Sequence, residues 1–224
     1  MRPGEIWSRK IGSRNELEEI FRPLGRPLPR DDYGRRDKHV LERWILAKWI
    51  ESGDLSSYWT DYPFSLTQPD RPDFIFSSDK ASLGIEIAQI TGRVTEQARV
   101  LAHKEDLDFY HVLGSEYQNR PMRRDELYDR MRKGDGGALL GDEPTRAFVR
   151  LASRLIDKKI ARSANYQKVD GLLLLLYDNS SLYVDWRNLR DKAILEELHE
   201  RGRNAGPFRA VCVYSDEQWH PETA

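Results

Sequence analysis

Pro72-Asp73-Phe74-Ile75-Phe76, followed after Ser77 to Ala81 by Leu83-Gly84-Ile85-Glu86-Ile87-Ala88-Gln89-Ile90, is the stretch that decides the fold. Both runs are rich in β-branched and aromatic residues. Between them, Ser77 to Ala81 carry turn chemistry, so the pair reads as a β-hairpin. Side chains alternate along a strand, so Ile85, Ile87 and Gln89 share one face and Glu86, Ala88 and Ile90 the other. Glu86 is then a carboxylate in a strand that is apolar on both sides. Burying such a group unpaired is costly enough that it neutralises or acquires a cation. Asp73 opens the neighbouring strand, and hairpin pairing brings it toward the end where Glu86 lies. Two carboxylates that close repel unless a cation lies between them. A hard divalent cation such as Mg²⁺ or Mn²⁺, held by Asp73, Glu86, a backbone carbonyl such as that of Ile87 and waters, resolves the conflict.

Outward from the hairpin, the chain divides into an N-terminal arm and one domain. Residues 1–35 hold Pro3, Pro23, Pro27 and Pro29 and one short helical pattern over Asn15 to Phe21, and read as an arm laid over the rest. Asp37 to Glu51 is a helix, with Val40, Leu41, Trp44, Ile45 and Trp49 at three- and four-residue steps and Gly53 as a stop. A first strand is expected within Tyr58 to Leu66 and a mostly helical stretch over Thr91 to Tyr117. About 120–143 is a charged insertion containing Gly134, Gly136, Gly137 and Gly141. Pro144 to Ala164 is a long helix. Val169 to Tyr177 is apolar on both faces, the pattern of a strand in the middle of a sheet. Trp186 to Arg203 is a helix and Phe208 to Tyr214 a last strand. The order predicts an α/β domain over 36–224, a central mixed β-sheet flanked by helices.

The 224 residues carry a formal net charge of -1, yet 33% of them are Asp, Glu, Lys or Arg. Mean hydropathy is -0.72, and the longest apolar run, Leu172 to Tyr177, is far short of the ~20 residues of a membrane span. No secretory signal is legible, and an intracellular, cytoplasmic protein is expected. Cys212 is the single cysteine, which excludes intrachain disulfides and multi-cysteine zinc sites; its apolar neighbours predict a buried strand residue. The net charge hides a polarised chain. Pro144 to Lys168 is net +6, with Arg146, Arg150, Arg154, Lys158, Lys159, Arg162 and Lys168 against Asp157 alone. Glu51 to Asp79 is net -5, with six acids against Arg71. Of the 36 basic residues, 26 are Arg. A GC-rich genome produces that bias, but the planar fork of Arg also suits phosphate oxygens.

Two more charges sit against their pattern. At 100° per residue, with Phe148 at zero, Leu155, Ala152 and Ile156 fall at about 340°, 40° and 80°, and Lys159 falls at about 20°, in mid-stripe. A lysine there is expected to reach a carboxylate. Arg146, Arg150, Arg154 and Asp157 face the other side and Lys158 lies on the border. Glu42 flanks the apolar face of the first helix. Each has a plainer reading: Asp73 as a turn residue, Glu86 paired with a structural arginine, Lys159 snorkelling to solvent. For Glu42 the plainer reading weighs more, a solvated residue paired with Lys38 four residues earlier.

Pro72-Asp73, a spacer, then Glu86-Ile87-Ala88 in an apolar strand resembles the core motif of the PD-(D/E)XK nuclease superfamily, and the match runs from about Asp37 to Leu176. The resemblance implies a restriction-endonuclease-like core and metal-dependent hydrolysis of phosphodiester bonds. Asp73 and Glu86 then become metal ligands and Glu42 an additional acid. The motif lysine position holds Ala88. Some members supply that lysine from the following helix, and Lys159 resembles such a migrated lysine. Gln89, on the opposite strand face, and Tyr166 and Gln167, just before the central strand, are secondary candidates. Arg150, Arg154, Lys158 and Arg162 are candidates for the nucleic-acid backbone, DNA first, with bases read by Arg120 to Lys133. A homodimer and a setting in defence or a mobile element enter only by analogy. The alternatives are an inactive descendant of the same fold that binds nucleic acid or a protein, and an interaction protein whose carboxylates are structural.

Other chemistries find no support. Gly134-Asp135-Gly136-Gly137 lacks the Lys-Ser/Thr of a phosphate loop. His39, His103, His111, His199 and His220 form no pair at metal-ligand spacing, and no Gly-x-Ser-x-Gly elbow exists.

Overall fold

Leu172 to Leu176 are all buried, and the strand they form has a neighbour on each side and a helical layer over each face. The structure is a computed structural model that describes residues 7–23, 38–105, 122–133, 142–179, 182 and 189–215. Its strands are β1 Trp7–Ile11, β2 Phe64–Gln68, β3 Phe74–Ser77, β4 Ser82–Ile90, β5 Gly171–Asp178 and β6 Ala210–Ser215. They form one sheet in chain order. β1 to β4 pair antiparallel, whereas β4, β5 and β6 pair parallel. The helices are α1 Arg14–Phe21, α2 Lys38–Glu51, α3 Arg93–Glu105, α4 Arg124–Lys133, α5 Glu143–Arg162 and α6 Leu189–Arg203. The protein is therefore α/β, with a six-stranded mixed sheet flanked by helices.

The alternation predicted for the second hairpin strand sets the two layers. Leu83, Ile85 and Ile87 of β4 pack with Leu17 and Phe21 of α1 and Trp44, Ile45 and Trp49 of α2. Ala88 and Ile90 face the other way, onto Phe148, Ala152 and Ile156 of α5 and Leu195 and Leu198 of α6. Pro144 lies in the first turn of α5, where its missing N–H leaves no bond unmade. A third, smaller cluster joins α3 to α4 through Val94, Ala98, Leu101, Leu127 and Met131. No helix among the described residues is long and apolar enough to cross a membrane.

Several boundaries differ from expectation. Trp7–Ile11, read as part of an arm, is a sheet strand paired from Trp7↔Gln68 to Ile11↔Phe64. Its Ser8, Arg9 and Lys10 are all exposed, so the strand shows no apolar alternation that the sequence could have revealed. The strand expected within Tyr58 to Leu66 starts at Phe64, after a 3-10 turn over Asp54–Ser57 and a cis Tyr62-Pro63 bond. Val40, assigned to the apolar face of α2, is 39% exposed, and Leu46, Ala47 and Ile50 are buried in addition to Trp44, Ile45 and Trp49. Cys212 is half-buried, not buried as expected, on a strand that among the described residues is paired on one side only. Within the charged insertion, Arg124 to Lys133 is helical. The expected helix beyond Glu105 and the glycines of 134–141 lie outside the described residues.

Candidate active site

β3 stops pairing with β4 at Phe74↔Ile85, while β4 continues beside β5 to Ile90↔Asp178. One further step of that antiparallel register sets Asp73 opposite Glu86. Beyond it, no strand among the described residues bonds the side of β4 facing away from β5. Ile87 N–H and C=O are instead satisfied by side chains: Asp73 Oδ2 accepts from Ile87 N at 2.7 Å, and Lys159 Nζ donates to Ile87 O at 2.9 Å. Lys159 Nζ also donates to Glu86 Oε1. The lysine in the middle of the α5 stripe thus reaches a carboxylate, from 73 residues along the chain.

Glu42 completes the group from the α2 side. Lys38 Nζ lies 3.0 Å from Glu42 Oε1 and 3.3 Å from Asp73 Oδ1, bridging the two acids. Gln68 Nε2 donates to Glu42 Oε2 at 3.2 Å and to His39 O at 3.1 Å, and His39 Nδ1 lies 3.5 Å from Glu42 Oε2. The pairing with Lys38 is as expected, but the solvated setting is not. Glu42 is 6% exposed, close to Asp73 at 2% and Glu86 at 5%. α2 is enclosed on more of its circumference than its best apolar stripe suggests, so a flank position becomes an interior one.

Burial, more than any neighbour, pushes the Glu42 carboxyl up to about 7, with the Asp73 carboxylate adding to the rise and Lys38 opposing it. Burial likewise raises Glu86, again with help from Asp73 and against the pull of Lys159 and Tyr166. Burial works against the charge on Lys38, but Asp73 and Glu42 outweigh it and raise its pKa. The Tyr166 phenol is also raised, by burial first and then by Glu86 beside it.

Three carboxyl groups face two ammoniums here, and burial with their mutual repulsion favours the protonated form of Glu42 and Glu86. The Tyr166 phenol approaches Glu86 closely enough for a side-chain hydrogen bond to pull the Glu86 carboxyl down and push the phenol up, although neither Glu86 Oε2 nor Tyr166 Oη meets ideal hydrogen-bonding geometry. Among the described residues, no three His, Cys, Asp or Glu side chains group to hold a metal ion. Mg²⁺ does not require such a cage, since it keeps several waters and takes one or two carboxylates. Glu86 Oε2, Asp73 and the Ile87 carbonyl have the hard-oxygen character that Mg²⁺ or Mn²⁺ selects, and an oxygen that accepts no hydrogen bond of good geometry fits a cation.

Arg150, Arg154, Lys158 and Arg162 are exposed along α5. Each successive member turns about 40° around the helix, so the row drifts toward Lys159. Arg162 ends it close enough to Tyr166 to oppose the rise of its pKa. The ring of Tyr166 packs edge-on against Phe208, and Gln167 N donates to Arg71 O at 2.9 Å, tying this loop to the residues before Asp73. Gln89 is not brought to the group; its Oε1 accepts from Asn179 Nδ2 at 3.1 Å. In the stretch expected to read bases, Arg124 pairs with Glu105, Arg130 with Glu126 and Lys133 with Asp129, so much of its positive charge is neutralised locally. Sequence reasoning missed Gln68 and the second contact of Lys38. Gln68 had a signal, a polar residue in register with Phe64 and Leu66; Lys38 had none, because Asp73 lies 35 residues away.

No protein-family model, curated protein or solved structure matches this chain. The functional reading accordingly rests on the residues and their geometry.

Proposed function

We propose that the protein is a Mg²⁺- or Mn²⁺-dependent nuclease on a restriction-endonuclease-like core, hydrolysing phosphodiester bonds of nucleic acid, DNA first. One observation carries this reading: Asp73, Glu86 and Lys159, from a hairpin and a distant helix, meet beside a buried carboxylate oxygen that accepts no hydrogen bond of good geometry. When bound, the ion supplies Lewis acidity, which activates water and offsets charge on the phosphate. Asp73, Glu86 and the Ile87 carbonyl would hold it. Lys159 engages Glu86 Oε1 and not Oε2. The same ammonium, at the boundary of the buried group, orients the attacking water or offsets the charge that develops on phosphate oxygens. Arg150, Arg154, Lys158 and Arg162 contact the backbone, which fixes position and carries no sequence information.

The test is incubation of purified protein with supercoiled plasmid, single-stranded DNA and RNA in Mg²⁺ or Mn²⁺, alongside Glu86→Ala and Lys159→Ala. Loss of cleavage in both variants supports the reading, while cleavage unchanged in Glu86→Ala assigns the activity to a contaminant. A second reading draws on Ala88 at the motif position and on the two ammoniums already seated on the carboxylates: an inactive descendant that binds nucleic acid or a protein. Binding without cleavage in the same assay selects it.

A further inference from the structure

The Asp73 half of the site already contains a cation, and that cation belongs to the chain. Lys38 opens α2, and its Nζ stands 3.0 Å from Glu42 Oε1 and 3.3 Å from Asp73 Oδ1. The other oxygens of this pair are also engaged, Glu42 Oε2 by Gln68 Nε2 and Asp73 Oδ2 by Ile87 N. Glu86 Oε2 alone among the six carboxylate oxygens is buried without a hydrogen bond of good geometry. Two acids held this close repel when both are ionised, and a tethered ammonium offsets that repulsion at every metal concentration. The Lys38 side chain is nevertheless 68% exposed, so it approaches from solvent and its charge can be removed with little loss of packing.

We infer that Lys38 stands in for a second divalent ion: the native site takes one Mg²⁺ or Mn²⁺ on the Glu86 side, and removing the ammonium opens a second position between Glu42 and Asp73. This rests on the metal-site reading above and adds the number and placement of the ions. Lys38 is a positioning residue that links Glu42 of α2 to Asp73 beside the hairpin.

The experiment counts ions on the full chain with no nucleic acid present. Mn²⁺ is titrated by calorimetry, and the free ion is followed by electron paramagnetic resonance. Wild type binds one equivalent, Lys38→Met binds two with spin coupling between them, and Lys38→Arg binds one. Lys38→Met combined with Glu42→Gln returns to one, because the second position loses its carboxylate. If Lys38→Met does not fold without metal, Lys38→Gln, neutral but still a donor, is expected to give two. Two equivalents in wild type, or one in both neutral variants when folded, overturns the inference. Wild type binding no ion overturns it together with the metal-site reading. Two ions in wild type with cleavage intact removes this inference alone, and the expected counts without any cleavage leave it standing and remove the nuclease.

Discussion

Glu86 carries the sharpest conflict between residue and setting, and its neighbours are arranged around that conflict. One oxygen is held by Lys159 and the other accepts no hydrogen bond of good geometry. If the protein is the nuclease proposed above, Lys159→Ala removes the charge that would face the phosphate, and a fall of about 10²- to 10³-fold in cleavage rate is expected, the range for losing one preorganised charge-stabilising donor. Lys159→Arg is expected to recover part of it. Near-native rates in a correctly folded Lys159→Ala protein would remove the lysine from the chemistry. Glu42 gives a prediction about stability. Its ordinary value of 4.5 is raised to about 7 in the fold, so the folded state favours the protonated carboxyl. The associated stability is present below about pH 4.5 and is lost as pH rises through about 7, with Glu86 shifted in the same direction. Urea unfolding in EDTA across this window should show the midpoint falling with pH, and Glu42→Gln should flatten the fall. A midpoint that rises equally in both proteins contradicts the assignment.

At the scale of elements, the β3–β4 hairpin delivers the site, and its register depends on one small residue. A Cβ added at Gly84 would lie 2.8 Å from Leu172 Cδ1 and 2.8 Å from Pro72 Cγ, with Val169 Cγ2 at 3.1 Å. Pro72 precedes Asp73 directly, so any relief moves a metal-ligand candidate. Gly84→Ala is expected to lower stability by about 1–3 kcal/mol, the usual cost of overpacking, and to weaken Mn²⁺ binding in the same protein. Unchanged denaturant midpoint and Mn²⁺ affinity would show that the neighbours yield freely. The hairpin, α5 and β5 were legible because each repeats its apolar period over several residues. β1 was not, since a polar edge strand is specified by its partner: Trp7 to Ile11 take their places from β2. Glu42 was misplaced for a related reason, because how much of a helix is covered depends on neighbours its own sequence does not contain.

Across the molecule, the near-zero net charge resolves into separate regions. The buried acids gather at the open side of β4, and the exposed bases of α5 run along the helix that carries Lys159. Some of the surface charge is paired, Arg146 with Asp142 and Arg201 with Asp157. Replacing Arg150, Arg154, Lys158 and Arg162 with Gln should weaken nucleic-acid binding to a similar degree for all sequences. The slope of log affinity against log salt should shrink by roughly 0.9 for each phosphate of duplex DNA that the protein no longer neutralises. An unchanged slope would move the backbone-binding surface to another face.

The sequence by itself determined the α/β class, the paired strands of the hairpin, the central apolar strand, and the three charges Asp73, Glu86 and Lys159 whose settings demanded partners. Those follow from local rules, the periods of strand and helix and the cost of burying charge, which act over a few residues. Tertiary structure decided what those rules do not reach: that β1 completes the sheet, that Glu42 is buried, and that Lys38 bridges Glu42 to Asp73. Each depends on residues distant in the chain becoming neighbours. The energy of a charge depends on its distance from others in space, and only the packed sheet and helices set that distance.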